Sequence, residues 1–132
     1  MTYLFYSIDN ITKLRDNEIF VFGSNLSGIH GSGAARVALQ KFQAMWGNGV
    51  GLYGKSYAIP TKDENIITMP IKEIAPFVRA FKATANMFDK NIFIVTKIGC
   101  GLAGYNSEDI APLFKGSPTN CMFHEDWRKY IE

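Results

Sequence analysis

Apolar positions follow two rhythms along this chain. Glu18-Ile19-Phe20-Val21-Phe22 is a short, nearly continuous apolar run, the pattern of a strand buried on both faces. Ile92 to Lys97 repeats it. Thr2 to Ile8, rich in aromatics, Ser56 to Ile59 and Thr119 to Phe123 read as further strands, and Ile66 to Met69 as a strand or a loop. Between them the period lengthens. From Gly33 to Trp46 the apolar positions are Ala34, Val37, Ala38, Phe42, Met45 and Trp46, a helix stripe that Gly47-Asn48-Gly49 ends. Ile74, Phe77, Val78, Phe81, Ala85 and Phe88 give the clearest amphipathic helix. Pro76 belongs in or near its first turns, because deeper in it removes a hydrogen bond and kinks the helix. A short helix starts at Ser107, capped by Ser107 or Asn106. Trp46, Phe77, Phe81 and Phe88 are expected in the core. The polar tail from His124 offers Trp127, Tyr130 and Ile131 as anchors.

Strands alternating with helices predict an α/β fold with a parallel or mixed central sheet. In such sheets ligands sit at the carboxyl ends of the strands. Two glycine-rich turns fall there. Gly23-Ser24-Asn25-Leu26-Ser27-Gly28-Ile29-His30-Gly31-Ser32-Gly33 follows one strand and opens an alanine-rich helix; Ile98-Gly99-Cys100-Gly101-Leu102-Ala103-Gly104-Tyr105 follows another. Backbone N–H groups and a helix N-terminus around one volume suit a phosphate or diphosphate. The two turns read as the two lips of one cleft.

Composition narrows the class. At 132 residues, 47% hydrophobic and 14% aromatic, the chain favours one domain (residues 1–132) with a packed core. A net charge of +2 with scattered basic residues gives no nucleic-acid or membrane surface. No signal peptide and no long apolar stretch is seen, so a soluble, cytoplasmic protein is expected. Cys100 and Cys121 require no disulfide, and with His30 and His124 they show no zinc-ligand spacing; no metal or cofactor is expected. Gly28-Ile29-His30-Gly31-Ser32-Gly33 does not match the dinucleotide-binding G-x-G-x-x-G fingerprint.

Four segments, in order, resemble a macrodomain, the module that binds ADP-ribose: Asp9-Asn10-Ile11-Thr12, Ile19-Phe20-Val21-Phe22-Gly23-Ser24-Asn25, Gly31-Ser32-Gly33-Ala34-Ala35 and Ile98-Gly99-Cys100-Gly101-Leu102. The last is most similar to the subgroup that includes the terminal ADP-ribose glycohydrolase. The resemblance implies a three-layer α/β/α domain with a mixed sheet. It implies that Asp9 or Asn10, with Ile11, meets the adenine, and that Asn25 meets the distal ribose. Gly31, Ser32, Gly33 and Ala34 would hold the diphosphate from one side, and Gly99, Cys100, Gly101, Leu102, Ala103 and Gly104 from the other. Tyr105 would cover the distal ribose, and Lys62 resembles a lysine that attacks it. ADP-ribose, or an ADP-ribosylated small molecule or protein, is the implied partner.

One departure matters. The subgroup carries an acidic residue after Gly-Leu, and here Ala103 stands in its place. A carboxylate there would serve as general base. His30 and Asp63 are the substitutes the sequence offers, and Asn25, His30 and Lys62 are the candidate catalytic residues. Each has a structural counterpart: Asn25 as a turn residue, His30 on the surface, Lys62 in a solvated turn, Cys100 as small packing, Tyr105 in the core, Gly31 and Gly33 as tight strand-to-helix packing. The functional readings are binding, with or without hydrolysis at the ribose C1″, either of an ADP-ribosyl bond or of a 1″-phosphate. The rivals are a sensor or sequestering protein and a protein-interaction module on the same scaffold.

Overall fold

A computed structural model describes residues 2–132. Six strands form one mixed sheet: β1 (Leu4–Tyr6), β2 (Glu18–Asn25), β3 (Gly51–Tyr53), β4 (Ser56–Lys62), β5 (Ile92–Val95) and β6 (Cys121–His124). Their order is β1-β6-β5-β2-β4-β3. Every neighbouring pair is parallel except β3 with β4, which is antiparallel. Among the described residues, four α-helices complete it: α1 (Gly33–Lys41), α2 (Ile71–Met87), α3 (Ser107–Ile110) and α4 (Arg128–Ile131).

Strand alternation explains the layers. Successive side chains of a strand point to opposite faces. On β2, Ile19 and Val21 join one core cluster, while Phe20 and Phe22 join the other. Tyr57 and Ile59 part from Ala58 on β4 in the same way, and Phe93 and Val95 from Ile94 on β5. Ile74, Val78, Phe81 and Ala85 of α2 cover the first face, together with Ile110, Phe114, Trp127 and Ile131. Ala35 and Ala38 of α1, with Phe42, cover the second. Phe81 is the hub of the larger core: its ring lies edge-on to Tyr57, Phe93 and Phe114 at centroid distances of 5.2, 5.7 and 6.0 Å. This is the α/β class that the sequence predicts.

Several boundaries differ. The first strand covers Leu4–Tyr6 rather than Thr2 to Ile8, and β2 and β4 run on to Asn25 and Lys62. Ile66 to Met69 is mostly loop, with a single bridge between Lys62 and Thr68. β3 is a strand that the sequence pattern did not suggest. The first helix stops at Lys41, not Trp46: Gln43 takes φ 68 and the Ala44 N–H bonds back to the Ala38 carbonyl at 3.1 Å. That turn carries Trp46 outward, so the residue expected in the core is 58% exposed. Phe88, one residue past the end of α2, is 42% exposed, and Phe77 is only partly buried. Pro76 lies in the second turn of α2. Asn106 caps α3, its N–H donating to Asp109 Oδ2 at 2.9 Å. The tail is anchored: Trp127 and Ile131 are buried, and the Trp127 indole N–H donates to Ser107 Oγ at 3.0 Å. Among the described residues, no helix is long and apolar enough to cross a membrane.

Candidate functional site

Topology puts a crevice where the sequence predicts one. From β2 the chain leaves through α1 to β4 on one side; β5, reached through α2, lies on the other. The loops after β2 and β5 therefore diverge to opposite faces, and the strand ends between them stay open. A cleft of about 890 Å³ occupies this position. It runs across the carboxyl ends of the parallel strands. The segment after β1 and the end of β6 lie towards one side, Lys62 at the end of β4 towards the other, and the two glycine-rich turns in the middle.

Most of the expected residues come together here. Asp9, Asn10 and Ile11 line the cleft, as do Asn25 and Lys62. Gly31, Ser32, Gly33 and Ala34 contribute the first glycine-rich lip; Gly99, Gly101, Leu102 and Ala103 contribute the second. Gly23 lets the lips approach: a Cβ there would sit 3.4 Å from Ile98 Cγ2 and 3.5 Å from the Gly99 nitrogen. Gly33 opens α1 with φ 59, a conformation that favours glycine. Ser32, the N-cap, makes no side-chain cap, and the first turn holds no acidic residue. The positive end of α1 thus faces the cleft without a built-in counter-charge. Among the described residues, Lys41 and Lys62 also line it, with Lys97 paired to Asp126, against the single lining carboxylate of Asp9. Both features favour an anion.

Four expected site residues lie elsewhere. His30 is neither surface nor cleft: it is 1% exposed, and its Nε2 faces the carbonyls of Met45 and Asn48 at 2.9 and 3.0 Å. Two carbonyl partners make Nε2 the protonated nitrogen. The ring, edge-on to Phe22, pins the first glycine-rich turn to the Met45–Gly49 loop. Tight glycine contacts back that clamp, since a Cβ on Gly28 would meet Asn48 N at 2.3 Å and one on Gly49 would meet Asn25 O at 1.8 Å. Cys100 is half-buried and does not line the cleft; its Sγ lies 4.0 Å from Ser107 Oγ, and burial raises the thiol pKa, with the Ser107 hydrogen bond opposing. Tyr105 packs against the core and donates its hydroxyl to the Met69 carbonyl at 2.7 Å, so it does not cover the cleft. Gly104, with φ 87, only turns the loop.

Asn25 is both a turn residue and a cleft residue. Its Oδ1 accepts from the Ile29 N–H and the Ser27 hydroxyl, each at 2.9 Å, and its Nδ2 donates to the Ile29 carbonyl at 2.8 Å. One amide N–H remains for a ligand. Asp63, offered as a substitute for the missing carboxylate, is not among the residues that line the cleft; its Oδ1 accepts from the N–H groups of Asn65 and Ile67 at 2.8 and 3.0 Å, which closes the turn that holds Ile66 at φ 63.

Other cleft residues escaped the sequence reading. Tyr6, Thr96, Lys97 and His124 all end parallel strands or directly follow them. The strand-end rule finds Thr96 and Lys97 from the expected strand, but reaches Tyr6 and His124 only once the first strand ends at Tyr6 and the last one runs on to His124. Lys97 reaches Asp126 at 2.9 Å, and that hydrogen bond lowers the Asp126 pKa. Among the described residues, no group of three His, Cys, Asp or Glu side chains is placed to hold a metal ion. Compared with protein-family models, curated proteins and solved structures, the chain shows no match.

Proposed function

We propose that the cleft binds ADP-ribose or a closely related ADP-ribosyl nucleotide, as a macrodomain does. The observation that carries the reading is the pair of glycine-rich lips at the ends of two adjacent parallel strands, one of them continuing into the uncapped N-terminus of α1. A diphosphate between the lips would meet main-chain N–H groups from both sides and the helix dipole. Strand order then orients the rest. The β1 and β6 side offers Asp9 as an acceptor for the adenine amino group; the β4 side offers Asn25 and Lys62 to the distal ribose. The volume, about 890 Å³, falls in the range of sites that enclose ligands of this size.

Binding without carboxylate-driven hydrolysis is the form we favour. Ala103 supplies no base, Asp63 is not among the residues lining the cleft, and His30 is clamped outside it. A sequestering or sensing role fits that set of residues. Turnover at C1″ is the second reading, and it rests on Lys62, which lies opposite Asn25 in the β2–β4 register and lines the cleft. There the lysine amine would attack C1″, expel the C1″ oxygen substituent, and be released by water. Thermal unfolding with ADP-ribose tests the primary reading. At 100 times its dissociation constant, the ligand stabilises the fold by about 2.7 kcal/mol. A protein-interaction module would show no shift. Release of product by wild type but not by Lys62→Ala, with binding retained, would establish the second reading.

A further inference from the structure

At the β1 and β6 end of the cleft, an exposed carboxylate is held by a buried imidazole. Asp9 has a side chain 79% exposed, whereas that of His124 is 7% exposed. His124 Nδ1 accepts the Asp126 N–H at 3.0 Å, which leaves Nε2 as the protonated nitrogen. Nε2 lies 3.2 Å from Asp9 Oδ1. The ring is fixed from a third side by Tyr6, edge-on at 5.2 Å, whose own hydroxyl donates to the Val95 carbonyl at 2.8 Å. Strand β6, the turn at Asp126 and the Tyr6 ring therefore set one tautomer and one orientation. An exposed aspartate would otherwise sample several rotamers and lose entropy on binding.

Resting on the ADP-ribose reading, we infer that His124 is a positioning residue that aims Asp9 into the cleft and thereby sets base selectivity. With Oδ1 engaged by His124, Oδ2 is left to accept from a 6-amino group. A 6-oxo purine presents a carbonyl oxygen to the same carboxylate, and two acceptors repel. The site thus selects adenine over hypoxanthine, and the selectivity depends on His124 as well as on Asp9.

The test is calorimetric titration with ADP-ribose and with its hypoxanthine counterpart, read as the ratio of the two dissociation constants. The proteins are wild type, His124→Phe, His124→Gln, Asp9→Asn and the Asp9→Asn/His124→Phe double variant. His124→Phe keeps a ring beside Tyr6 and removes the N–H; His124→Gln restores a side-chain N–H. Wild type is expected to favour the adenine nucleotide by roughly tenfold to a hundredfold, the range for a hydrogen bond to a charged group. His124→Phe should bring the ratio within about threefold, His124→Gln should recover part of it, and His124→Phe should add nothing once Asp9 is Asn. General damage to the fold weakens both nucleotides alike and leaves the ratio in place. A ratio unchanged in folded His124→Phe overturns the positioning role alone. If His124→Phe does not fold, a ratio unchanged in Asp9→Asn overturns it instead. A wild type that binds neither nucleotide overturns the ADP-ribose reading, and this inference with it.

Discussion

Two glycines in the second lip, two positions apart, should respond to substitution in opposite ways. Gly99 has φ 77, and a Cβ there would meet Ile110 Cδ1 and Cγ1 at 3.1 Å. Gly99→Ala therefore incurs a left-handed conformation, about 1 kcal/mol, and crowding against a buried side chain of about 1 kcal/mol more. A total of about 2 kcal/mol lowers Tm by roughly 8 °C. Gly101 lines the cleft, is exposed, and has nothing within 4 Å of the added Cβ. Gly101→Glu should leave Tm unchanged and act on the ligand. A carboxylate about 6 Å from each phosphate charge, at an effective dielectric constant of about 60, repels it by about 1 kcal/mol. For a diphosphate that amounts to about 2 kcal/mol, or roughly thirtyfold in Kd. Added salt should shrink the penalty. Gly101→Gln, of similar bulk and no charge, should lose far less. Melting curves and calorimetric titration with ADP-ribose at two ionic strengths read both quantities. A folded Gly101→Glu protein that binds ADP-ribose as tightly as wild type would refute the placement of the diphosphate.

Further outcomes follow from packing and burial. Phe81→Ala should cost about 3–5 kcal/mol in chemical denaturation, whereas Trp46→Ala, at a position 58% exposed, should stay within about 0.5 kcal/mol. Asn25→Asp turns a donor facing the Ile29 carbonyl into an acceptor, so it should destabilise the first lip by about 1–3 kcal/mol; faster amide exchange at Ser27–Gly31 would report it. Burial pushes the Cys121 thiol to about 12, from an ordinary value near 9.0. Between those values the unfolded chain releases the proton and the native one keeps it, so stability falls as pH rises, by up to about 1.4 kcal/mol per pH unit. Cys121→Ala should make the limb between pH 9 and 10 shallower, with Cys100 keeping a smaller share and Tyr3, Tyr6 and Tyr57, whose hydroxyls burial also raises, contributing above it.

The cleft was legible in the sequence wherever its walls are glycine-rich main chain. A glycine-rich turn after an apolar strand needs only local chemistry to be recognised, and Gly23, Gly31, Gly33, Gly99 and Gly101 all line the cleft. Gly28 and Gly104 instead serve the loop structure. Side chains whose role depends on distant partners were not legible. His30 sits among glycines, yet its partners are the carbonyls of Met45 and Asn48. His124 reads as the start of a polar tail, but it meets Asp9, 115 positions earlier. Trp46 continues a helical stripe that the backbone abandons at Gln43. Helix periodicity predicts a face only while the helix lasts.

The central claim is that both glycine-rich lips close on one diphosphate. Amide chemical-shift mapping with ADP-ribose tests it residue by residue. The expected result is that the largest changes fall at Gly31–Ala35 and Gly99–Ala103 together, with smaller ones at Asp9–Ile11 and at Asn25. Shifts confined to one lip, shifts elsewhere on the surface, or none in a folded protein at millimolar ligand would contradict it.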